Sequence, residues 1–287
     1  MNKIALFFAC VAMTAMSGVA QGNAAWPWDF PMSTGEQFTD GELVLAPYTF
    51  YKGAIDDKED LTKKNLIVYK TNLVKAGAEK SVVNYMEDYE LPNSLIIGIP
   101  EGATAKKGDI ILTWWQTGSG MNRAIVRDDS NPAEPKVDYL DMSMSLDADG
   151  NISGFAESHA NEQLKPNSFI VLHDGVWEPG AQVAHKNDWD KWVAATLIKA
   201  TDDKVLVLDL GSKVAAYPRE ICKLIPMSDE GMKAGDEVYG VSGNIYTERF
   251  IVDKVDTERG RVWGTDRYGK KKILSILEVT KVLDDEE

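Results

Sequence analysis

Apolar positions along this chain fall in short alternating runs closed by glycine, proline, aspartate or asparagine. The stretch Lys204 to Pro226, KVLVLDLGSKVAAYPREICKLIP, shows the pattern best. Val205, Val207 and Leu208 make a run that stops at Asp209, and Leu-Gly-Ser-Lys supplies a turn. A second run, Val214 to Ala216, leads to Pro218, and Ile221, Leu224 and Ile225 precede Pro226. Period-two alternation predicts half-buried strands, and the Gly and Pro positions predict where they end. Strand, tight turn, strand, Pro and short closing strand together predict a small β-barrel.

The layout recurs, which is the strongest feature of the sequence. Each copy opens on Gly and an apolar strand: Gly41-Glu42-Leu43-Val44, Gly108-Asp109-Ile110-Ile111, Gly180-Ala181-Gln182-Val183 and Gly235-Asp236-Glu237-Val238. A loop ends at Phe50, Met121, Trp192 or Tyr246, and an aliphatic follows five residues later at Ile55, Val126, Leu197 or Ile251. The next strand is expected to begin at Leu66, Val137, Val205 and Val262, with Asp141, Asp209 and Asp266 four residues on and Lys70 in the first copy. Pro92, Pro166 and Pro218 precede the closing strands, and the fourth copy lacks this Pro. The expected fold is therefore all-β: about four tandem small barrels at 38–101, 105–173, 177–227 and 232–283. Thr71 to Glu90 is expected as a helical insertion, since Val74, Ala78 and Val82 have roughly helical spacing. Met142 to Leu164 is expected as a longer insertion in the second copy. Its Asp147-Ala148-Asp149-Gly150-Asn151 run lacks the glycine and glutamate positions of a calcium loop, so a hairpin turn is expected there.

Trp192-Val193-Ala194-Ala195-Thr196-Leu197, Asp209-Leu210-Gly211-Ser212 and Asp266-Arg267-Tyr268-Gly269 resemble motifs of the Tudor-type, Royal-family SH3-like barrels. The resemblance implies rim aromatics that form a cage for a methylammonium or guanidinium group, balanced by a carboxylate. Carried over by position, the candidates are Trp192 and Asp209 in the third copy and Tyr246, Asp266 and Tyr268 in the fourth, with Trp115, Trp189 and Trp263 as contributors. Leu210 and Met121 stand where such barrels carry aromatics. The competing reading is that these rings only cap barrels of small core volume.

Composition narrows the setting. Residues 1–24 read as a secretory signal peptide: Lys3, an apolar run too short for a membrane span, then small residues before cleavage after Ala20 or Ala24. The expectation is export to a bacterial periplasm or exterior, with no integral membrane span after cleavage. Ala25 to Gln37 is rich in Trp and Pro and is expected to fold over a barrel. Cleavage leaves Cys222 as the single cysteine, too few for an internal disulfide, and it is expected in the core. The formal charge of −14 disfavours nucleic acid and is compatible with a basic partner. Asp284 to Glu287 is expected as an acidic tail.

His159, His173 and His185 lack metal-ligand spacing, and no phosphate loop, dinucleotide fingerprint or nucleophile elbow is present, so no cofactor, metal or catalytic residue is implied. Two functions follow. The first is an exported, non-enzymatic binding or scaffold protein for a peptide, a basic protein segment or cell-wall material. The second is an extracytoplasmic hydrolase with a site between repeats.

Overall fold

The computed structural model describes residues 26–147, 151–209 and 212–283. The expected signal peptide, the turn expected within Asp147 to Asn151, Leu210 and the expected acidic tail fall wholly or partly outside the described residues. No described helix is long and apolar enough to cross a membrane.

The fold is all-β, four SH3-like barrels in tandem. The first contains β1 (Leu43–Pro47), β2 (Val68–Lys75), β3 (Lys80–Asn84), β4 (Asp88–Pro92) and β5 (Ile97–Gly98), paired in the order β4-β3-β2-β1-β5. The second contains β6 (Ile110–Trp114), β7 (Met121–Asp128) and β8 (Lys136–Tyr139). Its insertion follows, a hairpin of β9 (Ser145–Leu146) and β10 (Ile152–Ser153), before β11 (Glu162–Gln163) and β12 (Ile170–Val171). Its order, β11-β8-β7-β6-β12, repeats that of the first. In the third, β13 (Gln182–Lys186), β14 (Trp192–Ala200), β15 (Lys204–Asp209), β16 (Lys213–Pro218) and β17 (Cys222–Leu224) pair in the same way. The fourth repeats it with β18 (Glu237–Ser242), β19 (Ile245–Asp256), β20 (Arg261–Thr265), β21 (Lys271–Ser275) and β22 (Val279–Thr280).

One local device builds all four units. The opening glycines Gly41, Gly108, Gly180 and Gly235 have φ between 91° and 95°, a conformation that costs a side-chain-bearing residue. Each donates its N–H to a carbonyl on the second strand: Leu73, Val126, Leu197 and Val252, at 2.7–2.9 Å. The pairing of second and third strands slips just after each acceptor, between Leu73/Lys75, Val126/Asp128, Leu197/Lys199 and Val252/Lys254. Such a bulge bends the long strand and curls the sheet towards closure.

These contacts correct two columns of the sequence alignment. In the first unit the aliphatic is Leu73, because Phe50 and Ile55 lie in α1 (Thr49–Asp56), inserted between β1 and β2, and in the fourth it is Val252, one residue past Ile251. Leu66 accordingly precedes β2 and does not open the third strand. The helix expected over Thr71–Glu90 is instead β2, β3 and β4. Leu73 and Val83 are buried opposite each other there, whereas Val74, counted towards the helical stripe, points outward. In the third-strand column, Asp209 and Asp266 are equivalent, two residues past the partners of Leu197 and Val252. The same count reaches Tyr139 in the second unit and Tyr85 in the first, so Asp141 and Lys70 fall outside the column.

In the first and third units the column proline starts a single turn of 3-10 helix, whereas Pro166 of the second opens a turn. Pro92 and Pro218, with φ near −57°, cap Asn93–Leu95 and Arg219–Ile221. Ser275 fills this place in the fourth unit, where its hydroxyl and Glu278 close a capping box over Ile276–Glu278.

The units share cores. One apolar cluster takes in Val44 and Leu95 from the first unit, Leu112 and Ile125 from the second, Ile198 and Leu206 from the third, and Phe250 and Val262 from the fourth. The N-terminal segment buries Trp28 and Phe30, and Trp28 Nε1 donates to Val214 O of the third unit at 2.7 Å. Arg261 of the fourth unit is 2% exposed and donates to the carbonyls of Tyr139 and Met142. β14 and β19 pair at Val193 and Ile245, fusing the third and fourth sheets.

Candidate functional site

The seam between the third and fourth units organises the most distinctive site. Ala194 N–H donates to Asn244 O at 2.8 Å beside the Val193–Ile245 bridge. The residues just outside that bridge, Trp192 and Tyr246, share a buried cluster with Ala184, Ile225, Val241 and Leu283. Tyr246 is 4% exposed; its hydroxyl donates to Leu277 O at 2.8 Å and accepts from Gln182 Nε2 at 2.9 Å. Gln182 Oε1 accepts from Arg123 Nη1 at 2.6 Å, and Arg123 forks onto Asp141. This chain of hydrogen bonds ties the second, third and fourth units beneath the seam. Every buried polar atom in it is paired, as a low-dielectric interior requires.

Above the seam lies a cleft of about 500 Å³. The loop hairpins of the two units form its walls, with Lys186 and Lys191 on one side and Glu248 and Tyr268 on the other. Trp192, Tyr246 and Tyr268 are thus brought together. Trp192 and Tyr246 form the floor, and Tyr268, 74% exposed, stands at the rim.

The other sequence candidates lie elsewhere. Asp209 accepts from buried His185 Nε2 at 3.1 Å and from Tyr217 O–H at 3.2 Å, and the His185 and Tyr217 rings stack at 3.9 Å. Asp266 accepts from the N–H groups of Lys270 and Tyr268 and pairs with Lys272, closing the β20–β21 turn. The Lys270 amide, chiefly, holds its carboxyl below the usual range. Trp115 packs edge-on to Phe155 and His159 in the second unit, with Gly118 laid against its ring. Trp189 is 79% exposed in the β13–β14 loop, outside the cleft lining. Trp263 sits half-buried against the core of the second unit.

Three of the candidate rings, Trp192, Trp263 and Tyr268, carry the protein's own cations. Lys186 and Lys223 lie 4.5 and 5.2 Å from the Trp192 centroid, Lys254 lies 4.8 Å from Trp263, and Arg267 lies 4.9 Å from Tyr268. The geometry is that of a mixed aromatic and charged groove, with its charged side chains stacked on its own rings.

Sequence reasoning missed Gln182 and Arg123, whose pairing depends on how units pack and leaves no trace in spacing. Lys186 was accessible to it, since it directly faces Trp192 across the β13–β14 hairpin. Cys222 is buried as expected; burial, with the Asp209 charge adding to it, pushes its thiol up to about 12. The thiol is therefore protonated at neutral pH and is a poor nucleophile.

No family model and no curated protein matches the chain. Among solved structures it is similar to the four MBT repeats of Drosophila melanogaster Sfmbt in complex with a peptide, RHR(me)KVLR. Identity is 8%, coverage is 85% of this chain and 88% of that chain, and the TM-score is 0.17. At that score the likeness carries no argument about a ligand.

Proposed function

We propose that this is an exported, non-catalytic binding protein of the Tudor-like type that takes a peptide segment in the seam cleft. The observation that carries this reading is the convergence of Trp192, Tyr246 and Tyr268 on one cleft with charged walls. Its lining contains neither histidine nor cysteine, so the usual base and thiol of a hydrolase have no counterpart there. The fused sheets beneath keep the floor rigid, which lowers the ordering cost of binding. Lys186, Lys191 and Arg267 outnumber Asp190 and Glu248 in the lining, so an acidic or neutral segment suits the cleft better than the basic partner suggested by net charge. Export rests on the sequence of residues 1–24 and is checked by the N-terminal mass of the protein recovered outside the cytoplasm.

Selection from a displayed random-peptide library tests the binding role. Enriched peptides are expected to weaken at least about tenfold, or about 1.4 kcal/mol, on Tyr268→Ala and on Lys191→Glu. Met86→Ala, at an exposed site on the first unit, is expected to leave binding unchanged. Equal binding to the Tyr268→Ala and parent proteins would remove the seam from the reading.

A further inference from the structure

The first unit holds a second cleft, built by parts of the chain that the seam does not use. α1 and the N-terminal segment lie against β4 and enclose about 350 Å³, near the lower end of the range for small-molecule sites. Trp26 forms one wall, and its indole N–H donates to Phe30 O at 2.7 Å, fixing the ring. Tyr51 and Tyr89 line the cleft together and differ in one respect. Tyr89 donates its hydroxyl to Pro47 O at 2.8 Å. Tyr51 is only 4% exposed, and among the described residues its hydroxyl makes no hydrogen bond. The hydroxyl opens onto the cleft, where a ligand's polar atom can take the place of water on it. Burial, and secondarily the Glu90 charge, raises the pKa of Tyr51, so the group is present as an O–H donor.

The charged groups around this cleft are nearly balanced. Lys52 pairs with Asp56 at 2.6 Å and Lys80 with Glu90 at 3.3 Å, and Asp88 accepts from Asn84 Nδ2 at 2.6 Å. An ionic ligand would meet a like charge beside each opposite one. A wholly apolar ligand would displace water from the Tyr51 hydroxyl and from the carboxylates' remaining lone pairs and offer no hydrogen bond in return. A neutral ring with one apolar C–H face and hydroxyls that both donate and accept satisfies the aromatic wall and the polar rim together.

We infer that the Trp26–Tyr51–Asp88 cleft is a saccharide site, with a sugar face on Trp26 and its hydroxyls on Tyr51 and the paired carboxylates. It is separate from the seam and stands whether or not the seam binds peptide.

The test follows the Trp26 indole resonance, assigned with Trp26→Phe, while the protein is titrated with tri-N-acetylglucosamine, maltotriose or a neutral Gly-Ser peptide. One of the two saccharides is expected to shift it saturably, with a Kd on the order of 1 mM or tighter. Tyr51→Phe, which keeps the ring, and Asp88→Asn are each expected to weaken that binding at least about fivefold. The buried Trp28 indole, held on Val214 O, reports that each variant is folded. The inference fails if neither saccharide moves Trp26, if both variants bind as the parent does, or if the peptide binds more tightly than either sugar.

Discussion

Glu36 shows how much one side chain can contribute to joining the units. Its carboxylate, on the N-terminal segment, meets Lys199 of β14 at 2.8 Å, and both side chains are mostly buried. Burial alone would raise its pKa, but the hydrogen bonds from Lys199 and Thr34 outweigh burial and hold it at about 2, against 4.5 for the free group. Because the folded value is the lower one, the stabilisation is complete above pH 4.5 and is lost as pH falls towards 2. Partial solvent screening limits it to about 1–2 kcal/mol. Denaturant titrations between these pH values should show Glu36→Gln with a shallower pH slope than the parent. Equal slopes would mean that the pair contributes nothing net. The candidate aromatics teach a related lesson at this scale. Their residue types were legible in the sequence, but the cations stacked on Trp192 and Trp263 come from other strands, Lys223 on β17 and Lys254 on β19.

Among elements, the glycine that opens each unit matters most. Gly180 and Gly235 have the same φ, near 95°, yet different surroundings. A Cβ on Gly235 would meet nothing within 4 Å, whereas on Gly180 it would press on Leu112 of the second unit at 3.1 Å. Gly235→Ala should therefore cost only the backbone term, about 1–2 kcal/mol, and Gly180→Ala about 1 kcal/mol more. Equilibrium unfolding of the two variants gives the comparison, and equal losses would show that Leu112 gives way freely. The same glycines explain what the sequence could reveal. In the third and fourth units, glycine, bulge and third strand lie at short, fixed spacings, so the glycine and third-strand columns align by inspection, and the bulge column misses by one residue, at Ile251 in place of Val252. In the first unit α1 stands between β1 and β2, and the spacing carries the eye to Ile55 in place of Leu73. Val74, Ala78 and Val82 then imitate a helical stripe, while Ala76 and Gly77 turn the chain between two strands. The missing proline of the fourth unit is legible as a gap, but Ser275 and Glu278 read as a capping box only once the 3-10 turn they close is known.

For the whole molecule, the sequence suggested four barrels and gave no sign of how tightly they join. The shared apolar cluster, the fused sheet at β14 and β19, and Arg261 reaching the carbonyls of Tyr139 and Met142 make the units depend on one another. Heat or denaturant should accordingly unfold them in one transition. Protease is expected to leave the inter-unit segments 102–106, 174–179 and 228–234 uncut before global unfolding. Separate transitions, or rapid cleavage at all three segments, would show that the barrels behave as beads on a string. A continuous body also explains why the candidate cleft falls between units: the seam is where two sets of barrel loops meet over a rigid floor.

Amide hydrogen exchange with and without a peptide from the library selection tests the seam reading most directly. Slowed exchange is expected in Lys186–Trp192, Tyr246–Glu248 and Arg267–Tyr268, the three segments around the cleft, with the rest of the protein unchanged. Protection confined to the first unit or the second-unit insertion, with these three segments exchanging as before, would contradict the assignment of the seam as the peptide site.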